Sequence, residues 1–243
     1  MTRRKIGILG GMGTAAGLYF TQKLIELNAA AGKDSDHPSF ILYSDPHIPS
    51  RVDAYLSNTT SPSRAIASSL DKLSSLGADF GVVICNTAHI YFDEIEQQVE
   101  LPLINMIGNV AQHVALTAPG KTIGLLATTA TARSSLYPRH FSSAGNAIAL
   151  PGEADQELIT AAIFDPAFGI KATGTSVHPR ARQIIGEVAA RMRSEQGVQH
   201  LILGCTELSM AISDESWNDF TIIDPVKLLA RTCLQRAGFT ALH

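Results

Sequence analysis

No stretch of this sequence approaches the ~18 consecutive apolar residues that a membrane-crossing helix needs, which predicts a soluble protein with no membrane partner. A basic surplus is also missing. The 19 Lys and Arg against 22 Asp and Glu give a formal net charge of −3, with a pI near 6.2. Nothing is left over to neutralise a phosphate backbone, so nucleic-acid partners lose their main source of affinity. Low-complexity tracts are absent, and a chain that is 45% hydrophobic and 17% charged has the composition of a globular protein. Cysteine is scarce: Cys85, Cys205 and Cys233 form no CxxC pair and stand at no metal-ligand spacing. Three dispersed thiols point to free cysteines in a reducing, cytoplasmic compartment, with no metal site.

What the sequence does have is a pattern met twice. Near the N-terminus, Arg3-Arg4-Lys5 followed by IGILGGMGTAAGLYF has the charged and apolar parts of a secretory leader. Five glycines between Gly7 and Gly17 argue against a leader helix, and TIGLLATTATA at Thr122–Ala132 repeats the pattern internally. The segment therefore reads as a strand and a turn. Ile6-Gly7-Ile8-Leu9 matches Ile123-Gly124-Leu125-Leu126 at an offset of 117, Leu103–Ile107 matches Ile222–Val226 at 119, and Cys85 matches Cys205 at 120. A chain of 243 residues has room for two domains of this size.

Each half alternates short aliphatic strands with amphipathic helices, the pattern of parallel sheets covered on both faces. Strands are expected at Lys5–Gly10, Ser39–Ser44, Phe80–Cys85 and Leu103–Met106, then at Thr122–Ala127, Ala147–Leu150, Leu201–Gly204 and Thr221–Asp224. The clearest helices are Thr14–Ala31, Ser61–Leu76 and His178–Glu195, the second opening on a capping Ser61 and Pro62 in its first turn. The expected fold is α/β, with two pseudo-symmetric, doubly wound parallel-sheet domains. The first takes residues 1–107 and 224–243 and carries Cys85, and the second takes 108–223 and carries Cys205. Ligands in such sheets bind beyond the carboxyl ends of the strands. Both cysteines fall at such ends, so the expected active site is the interdomain cleft.

A lone free cysteine is usually a small buried hydrophobe. Two in matched strand-to-helix turns, VVICNTAH and LILGCTEL, point instead to chemistry, because helix N-termini favour thiolate. Opposed thiols suit proton removal from one face of a carbon acid and proton donation to the other, which is racemisation or epimerisation. The loop GGMGTAAG also fits a relaxed dinucleotide fingerprint, with Asp45 as ribose acceptor. Asp45 lies too far along, however, and the second half has lost the glycines, so a turn in which a small acid meets the backbone around Met12 is the better reading. Arg51, in the loop DPHIPSR, and Lys171, in FGIKATG, are either solvated charges or cations for a substrate carboxylate. Thr128 and Thr131 cap a helix, supply donors to a carboxylate, or do both. His47, His89 and His113 lack ligand spacing and read as surface or core residues.

These residues resemble the aspartate/glutamate racemase family, and within it the aspartate racemases that use no pyridoxal phosphate. IGILGGMG, HPSFILYSDPHIPSR, GADFGVVICNTAH, LPLINMI, GLLATTATARSSLY, ILGCTEL and IIDP occur in the family's order. The resemblance implies that Cys85 and Cys205 are the two catalytic acid/bases, acting on opposite faces of Cα without metal or cofactor. It implies that Asn86, Thr87 and Thr206 hold the α-carboxylate and amino group, with Thr128 and Thr131 lining the pocket and Glu207 at an acidic position shared with aspartate racemases. Arg51 and Lys171 match positions that receive the side-chain carboxylate. A homodimer acting on a small acidic amino acid is implied as well. Three positions depart from the family: Thr14 follows Gly13 where Pro is usual, Gly17 stands further along where a Thr is expected a few residues on, and Asn105 stands where Ser is common. The expected activity is interconversion of L- and D-aspartate or glutamate. Maleate isomerisation, hydantoin racemisation and a non-catalytic sensor of small acids are the alternatives.

Overall fold

The computed structural model describes residues 3–28, 30–141, 145–212 and 216–241. Its contacts divide the chain into two compact units, Met1–Asn109 with Val226–His243, and Val110–Pro225. The first unit runs β1 (Ile6–Gly10), α1 (Thr14–Glu26), β2 (Phe40–Ser44), α2 (Arg51–Leu56), α3 (Ser63–Ser75), β3 (Phe80–Val83) and, after a 3₁₀ turn at Thr87–Tyr91, α4 (Phe92–Glu96). Helix α5 (Met106–Thr117) carries the chain into the second unit. There follow β4 (Thr122–Ala127), α6 (Thr129–Arg133), α7 (Leu136–Phe141), β5 (Ala147–Ala149), α8 (Glu153–Phe164), α9 (Ile170–Thr173) and α10 (Pro179–Gln196). The unit closes with β6 (His200–Gly204), α11 (Thr206–Ala211), β7 (Ser216–Trp217) and β8 (Phe220–Ile223), and α12 (Pro225–Arg236) returns the chain to the first unit.

Both sheets are built on parallel pairs, and the fold is mixed α/β. The first has the order β2-β1-β3, with Ile8 of β1 facing Leu42 on one side and Val82 on the other. All five residues of β1 are buried, as expected for a central strand covered on both faces. Helix α3 buries Ile66, Ala67, Leu70 and Leu73, a three-and-four spacing that makes one apolar stripe. The second sheet has the order β5-β4-β6-β8-β7 and is parallel except for β7, which turns back on β8. Helix α10 packs on α8 and buries Ala181, Ile184, Ile185, Val188, Ala189 and Met192 in the apolar core of this unit. Its first turn is capped by His178, whose Nδ1 accepts from the Arg180 N–H at 3.1 Å.

Several sequence expectations change. Leu103–Met106 is not a strand: only Leu103 pairs, with Gly81, through the Gly81 N–H to Pro102 O at 2.9 Å and the Ile104 N–H to Gly81 O at 3.1 Å. Pro102 has no N–H to extend the ladder, and the Asn105 side chain accepts from Ile107 and Gly108, starting α5 at once. Helix α1 ends at Glu26 instead of Ala31, and Ala29 of that expectation lies outside the described residues. The antiparallel β7 is an addition, turned by Asn218 and Asp219 at φ 48° and 63°. Helix α3 starts later than expected, with Pro62 at the cap position instead of in the first turn, and Ser61 before it accepts from the Ser63 N–H at 3.3 Å.

Candidate active site

In the first unit three strand ends meet. After β1 the chain turns at Gly11, where φ is +94° and a Cβ would fall 2.4 Å from the Asp45 backbone, so glycine is required. Met12 follows, 2% exposed, in one apolar cluster with Ile48, Tyr91 and Cys85. Arg51 ties two of these loops together: its Nη1 donates to Ile48 O at 3.1 Å and Pro49 O at 3.0 Å, and its Nη2 to Met12 O at 3.1 Å. Its Nε–H is buried and makes no hydrogen bond among the described residues. Arg51 is therefore a partly buried, loop-fixing cation with its Nε–H still unspent, not a solvated charge.

Cys85 lies two residues past β3, 6% exposed, and its Sγ makes no hydrogen bond among the described residues. Asn86 and Thr87 after it are buried at 1% and 4%. His89 is buried too, and its two ring nitrogens are both used. Nε2 accepts from the Met106 N–H at 3.1 Å, which leaves the ring proton on Nδ1 to donate to Cys85 O at 2.9 Å. One neutral imidazole thus fixes the backbone of Cys85 to the first turn of α5, and the ring stacks on Phe92. The sequence offered a signal for this, since His89 stands four residues after the cysteine.

In the second unit β4 ends on Thr128, the cap of α6, whose Oγ1 accepts from the Thr131 N–H at 3.3 Å and donates to Thr131 Oγ1 at 3.2 Å. Gln156 of α8 donates to Ala127 O at 3.0 Å, and Thr160 hydrogen-bonds Thr129 at 2.9 Å, so α8 holds this strand end in place. Sequence reasoning missed both residues, because nothing local links positions about thirty residues apart. Beside α6, a cavity of about 440 Å³ is lined by Thr129, Arg133, Pro151, Gln156 and neighbours. It includes none of the residues that sequence reasoning assigned to the site.

Cys205 directly follows β6 and caps α11. Gly204 lets the strands close up here, because a Cβ would lie 2.5 Å from Leu125 Cδ1 and 2.9 Å from Ala127 Cβ. Glu207, its side chain 3% exposed, is shared by three partners. Its Oε1 accepts from Lys171 Nζ at 2.5 Å, and its Oε2 from Cys205 Sγ at 3.0 Å and Thr206 Oγ1 at 3.1 Å. Lys171 is brought there by α9, after the Asp165 carboxylate has accepted from Ala167 at 2.8 Å and Phe168 at 3.2 Å to turn the chain.

The electrostatics of this cluster run against one expectation. Burial, then the Glu207 charge, push the Cys205 thiol well above its ordinary value, with Lys171 opposing. The strand-to-helix turn was expected to favour thiolate; here desolvation and a neighbouring carboxylate outweigh a six-residue helix. Burial would also raise Glu207, but the Lys171 charge and the hydrogen bonds from Cys205 and Lys171 bring it below its ordinary value. Burial likewise raises Tyr137, which feels Cys205 and Asp224, and burial raises Cys233, which lies in α12 away from either strand end.

Among the described residues, no group of three or more His, Cys, Asp or Glu is arranged to hold a metal ion. None of the described helices is long and apolar enough to cross a membrane.

A sequence profile for the family described as Asp/Glu/Hydantoin racemase matches residues 9–233. Among solved structures, the aspartate racemase of Picrophilus torridus superposes with a TM-score of 0.86 at 33% identity, covering 98% of this chain and 96% of that one. The broad specificity amino-acid racemase RacX of Bacillus subtilis is 28% identical over 232 residues, 93% of this chain and 95% of that protein. A glutamate racemase of Desulforudis audaxviator is 30% identical over 177 residues, 70% of this chain and 61% of its own length.

Proposed function

We propose that this chain, which belongs to the Asp/Glu/hydantoin racemase family and is a pyridoxal-phosphate-independent amino-acid racemase, interconverts L- and D-aspartate. The observation that carries this reading is the matched placement of two buried thiols, each just past the end of a parallel strand and each followed by buried polar residues. In the proposed reaction one cysteine removes the Cα proton and the other returns a proton to the opposite face. The intermediate is a carbanion beside an ionised carboxylate, so donors aimed at that carboxylate lower the barrier. Asn86, Thr87, Thr128, Thr131 and Thr206 are the proposed donors, and Met12 is a further proposed substrate-binding residue. Arg51 and Lys171 select a second carboxylate, and the unspent Nε–H of Arg51 supports that role. Free thiols suit work in a reducing cytoplasm.

The test follows the α-hydrogen of L-aspartate in D2O by proton NMR, with no pyridoxal phosphate added. The wild type should exchange it, and Cys85→Ser or Cys205→Ser should each lose about 100-fold or more in racemisation. Exchange with glutamate or a neutral amino acid but not with aspartate would remove the aspartate assignment. Wild-type turnover in either serine variant would remove the two-cysteine mechanism.

A further inference from the structure

We propose that Glu207 locks Cys205 in its thiol form at rest, so that Cys205 is the acid of the first proton transfer and Cys85 the group that takes the Cα proton. The proposal rests on the racemase reading and assigns its two cysteines unequal starting states. Its basis is the geometry around one carboxylate. Lys171 Nζ stands 2.5 Å from Oε1, which keeps Glu207 ionised, and an ionised carboxylate can only accept hydrogen bonds. The Cys205 Sγ contact at 3.0 Å therefore carries its proton on sulfur. Ionising that thiol would set two anions side by side in a site where Cys205 is 5% exposed and Glu207 2%.

The other groups that act on this thiol do not reverse the bias. Lys171, on α9, opposes the shift, and Glu207 already engages it. Tyr137, on α7, is fully buried and held neutral; Asp224, past β8, acts on Tyr137 and accepts from Ser209 at 2.7 Å. Cys85 is as deeply buried, at 6%, but no carboxylate is hydrogen-bonded to its sulfur among the described residues. The proton balance is direct. The Cys85 thiolate takes the Cα proton and becomes a thiol, the Cα–H electron pair stays on carbon, and the Cys205 thiol protonates the opposite face and becomes a thiolate. That product form places the thiolate against Glu207, so it is the sparse form; it returns to rest when Cys205 takes a proton from solvent and Cys85 gives one up to solvent, or when Cys205 takes the Cα proton of a substrate of the opposite hand and Cys85 protonates that carbon.

Two measurements test the lock. The first is the pH onset of ultraviolet thiolate absorbance in Cys85→Ser and in Cys85→Ser/Glu207→Gln, where the buried Cys233 contributes equally to both. The second variant should ionise Cys205 at least about one pH unit lower, a tenfold gain in thiolate at a given pH. Equal onsets overturn the proposal. The second measurement uses the wild type, whose fold is not in question: brief iodoacetamide treatment near neutral pH, then peptide mass analysis. Alkylation should appear at Cys85 first, since thiolate is the reactive species and the two residues are similarly buried. Prior labelling of Cys205 overturns the proposal. Both readouts are independent of turnover, so failed hydrogen exchange counts against the racemase reading alone, and equal onsets beside intact exchange count against the lock alone.

Discussion

Buried to 3% side-chain exposure, Glu207 as an ion would oppose folding without the Lys171 ammonium 2.5 Å away. With Lys171 present, its folded value lies below the ordinary 4.5. The group then contributes stability above pH 4.5 and loses it as pH falls through the lower folded value. In Lys171→Met the charge and hydrogen bond of Lys171 no longer oppose burial, the folded value rises, and the carboxylate contributes less stability at neutral pH. Lys171 is 26% exposed, which reduces the full penalty of a broken buried pair. We expect Lys171→Met to lose about 1–3 kcal/mol at pH 7, with the deficit shrinking as pH falls toward the unfolded carboxylate value. Urea titrations at neutral and mildly acid pH check this, and an unchanged midpoint at pH 7 would contradict it. The sequence showed Lys171, Glu207 and Cys205 singly, because each sits at a turn after an apolar run. Their union was not legible, since Lys171 and Glu207 are 36 positions apart and no local period connects them.

Among the secondary-structure elements, long apolar runs bounded by turn residues were legible and short ones were not. β1, β4 and β6 each have four or more consecutive buried residues, which is what their unbroken aliphatic sequences predict. Leu103 has the composition of a strand, but Pro102 and the cap at Asn105 confine it to one bridging residue. β7, with two residues, is too short for any alternation to show, and only its turn could have revealed it. Both turn residues have positive φ, as a type I′ hairpin requires, and Asn is among the few side chains that tolerate it. Asn218→Val sets a β-branched residue in that conformation and should lower stability by about 1–2 kcal/mol. Asn218→Gly should not, because glycine adopts positive φ without a Cβ penalty. Thermal midpoints of the two variants decide it: an equal loss in both would place the contribution in the Asn218 side chain instead of the backbone.

For the whole molecule, the internal match between halves was legible because both copies keep a strand that ends on a cysteine, and loop insertions do not erase a pattern spaced about 120 residues apart. What a sequence cannot show is whether two such halves unfold together. The units have separate apolar clusters, Leu70 being fully buried in the first and Ile185 in the second. The partition crosses the chain twice, within α5 and at the start of α12. Truncating a fully buried side chain costs about 2–5 kcal/mol, mostly in the cluster that loses the contacts. If each unit opens on its own, Leu70→Ala should speed amide hydrogen exchange in β1 and β3 by about thirtyfold or more, and leave β4 and β6 much less affected. Ile185→Ala should do the reverse. Exchange measured strand by strand separates the cases: a uniform rise across both sheets in either variant would mean that the two units open as one cooperative unit.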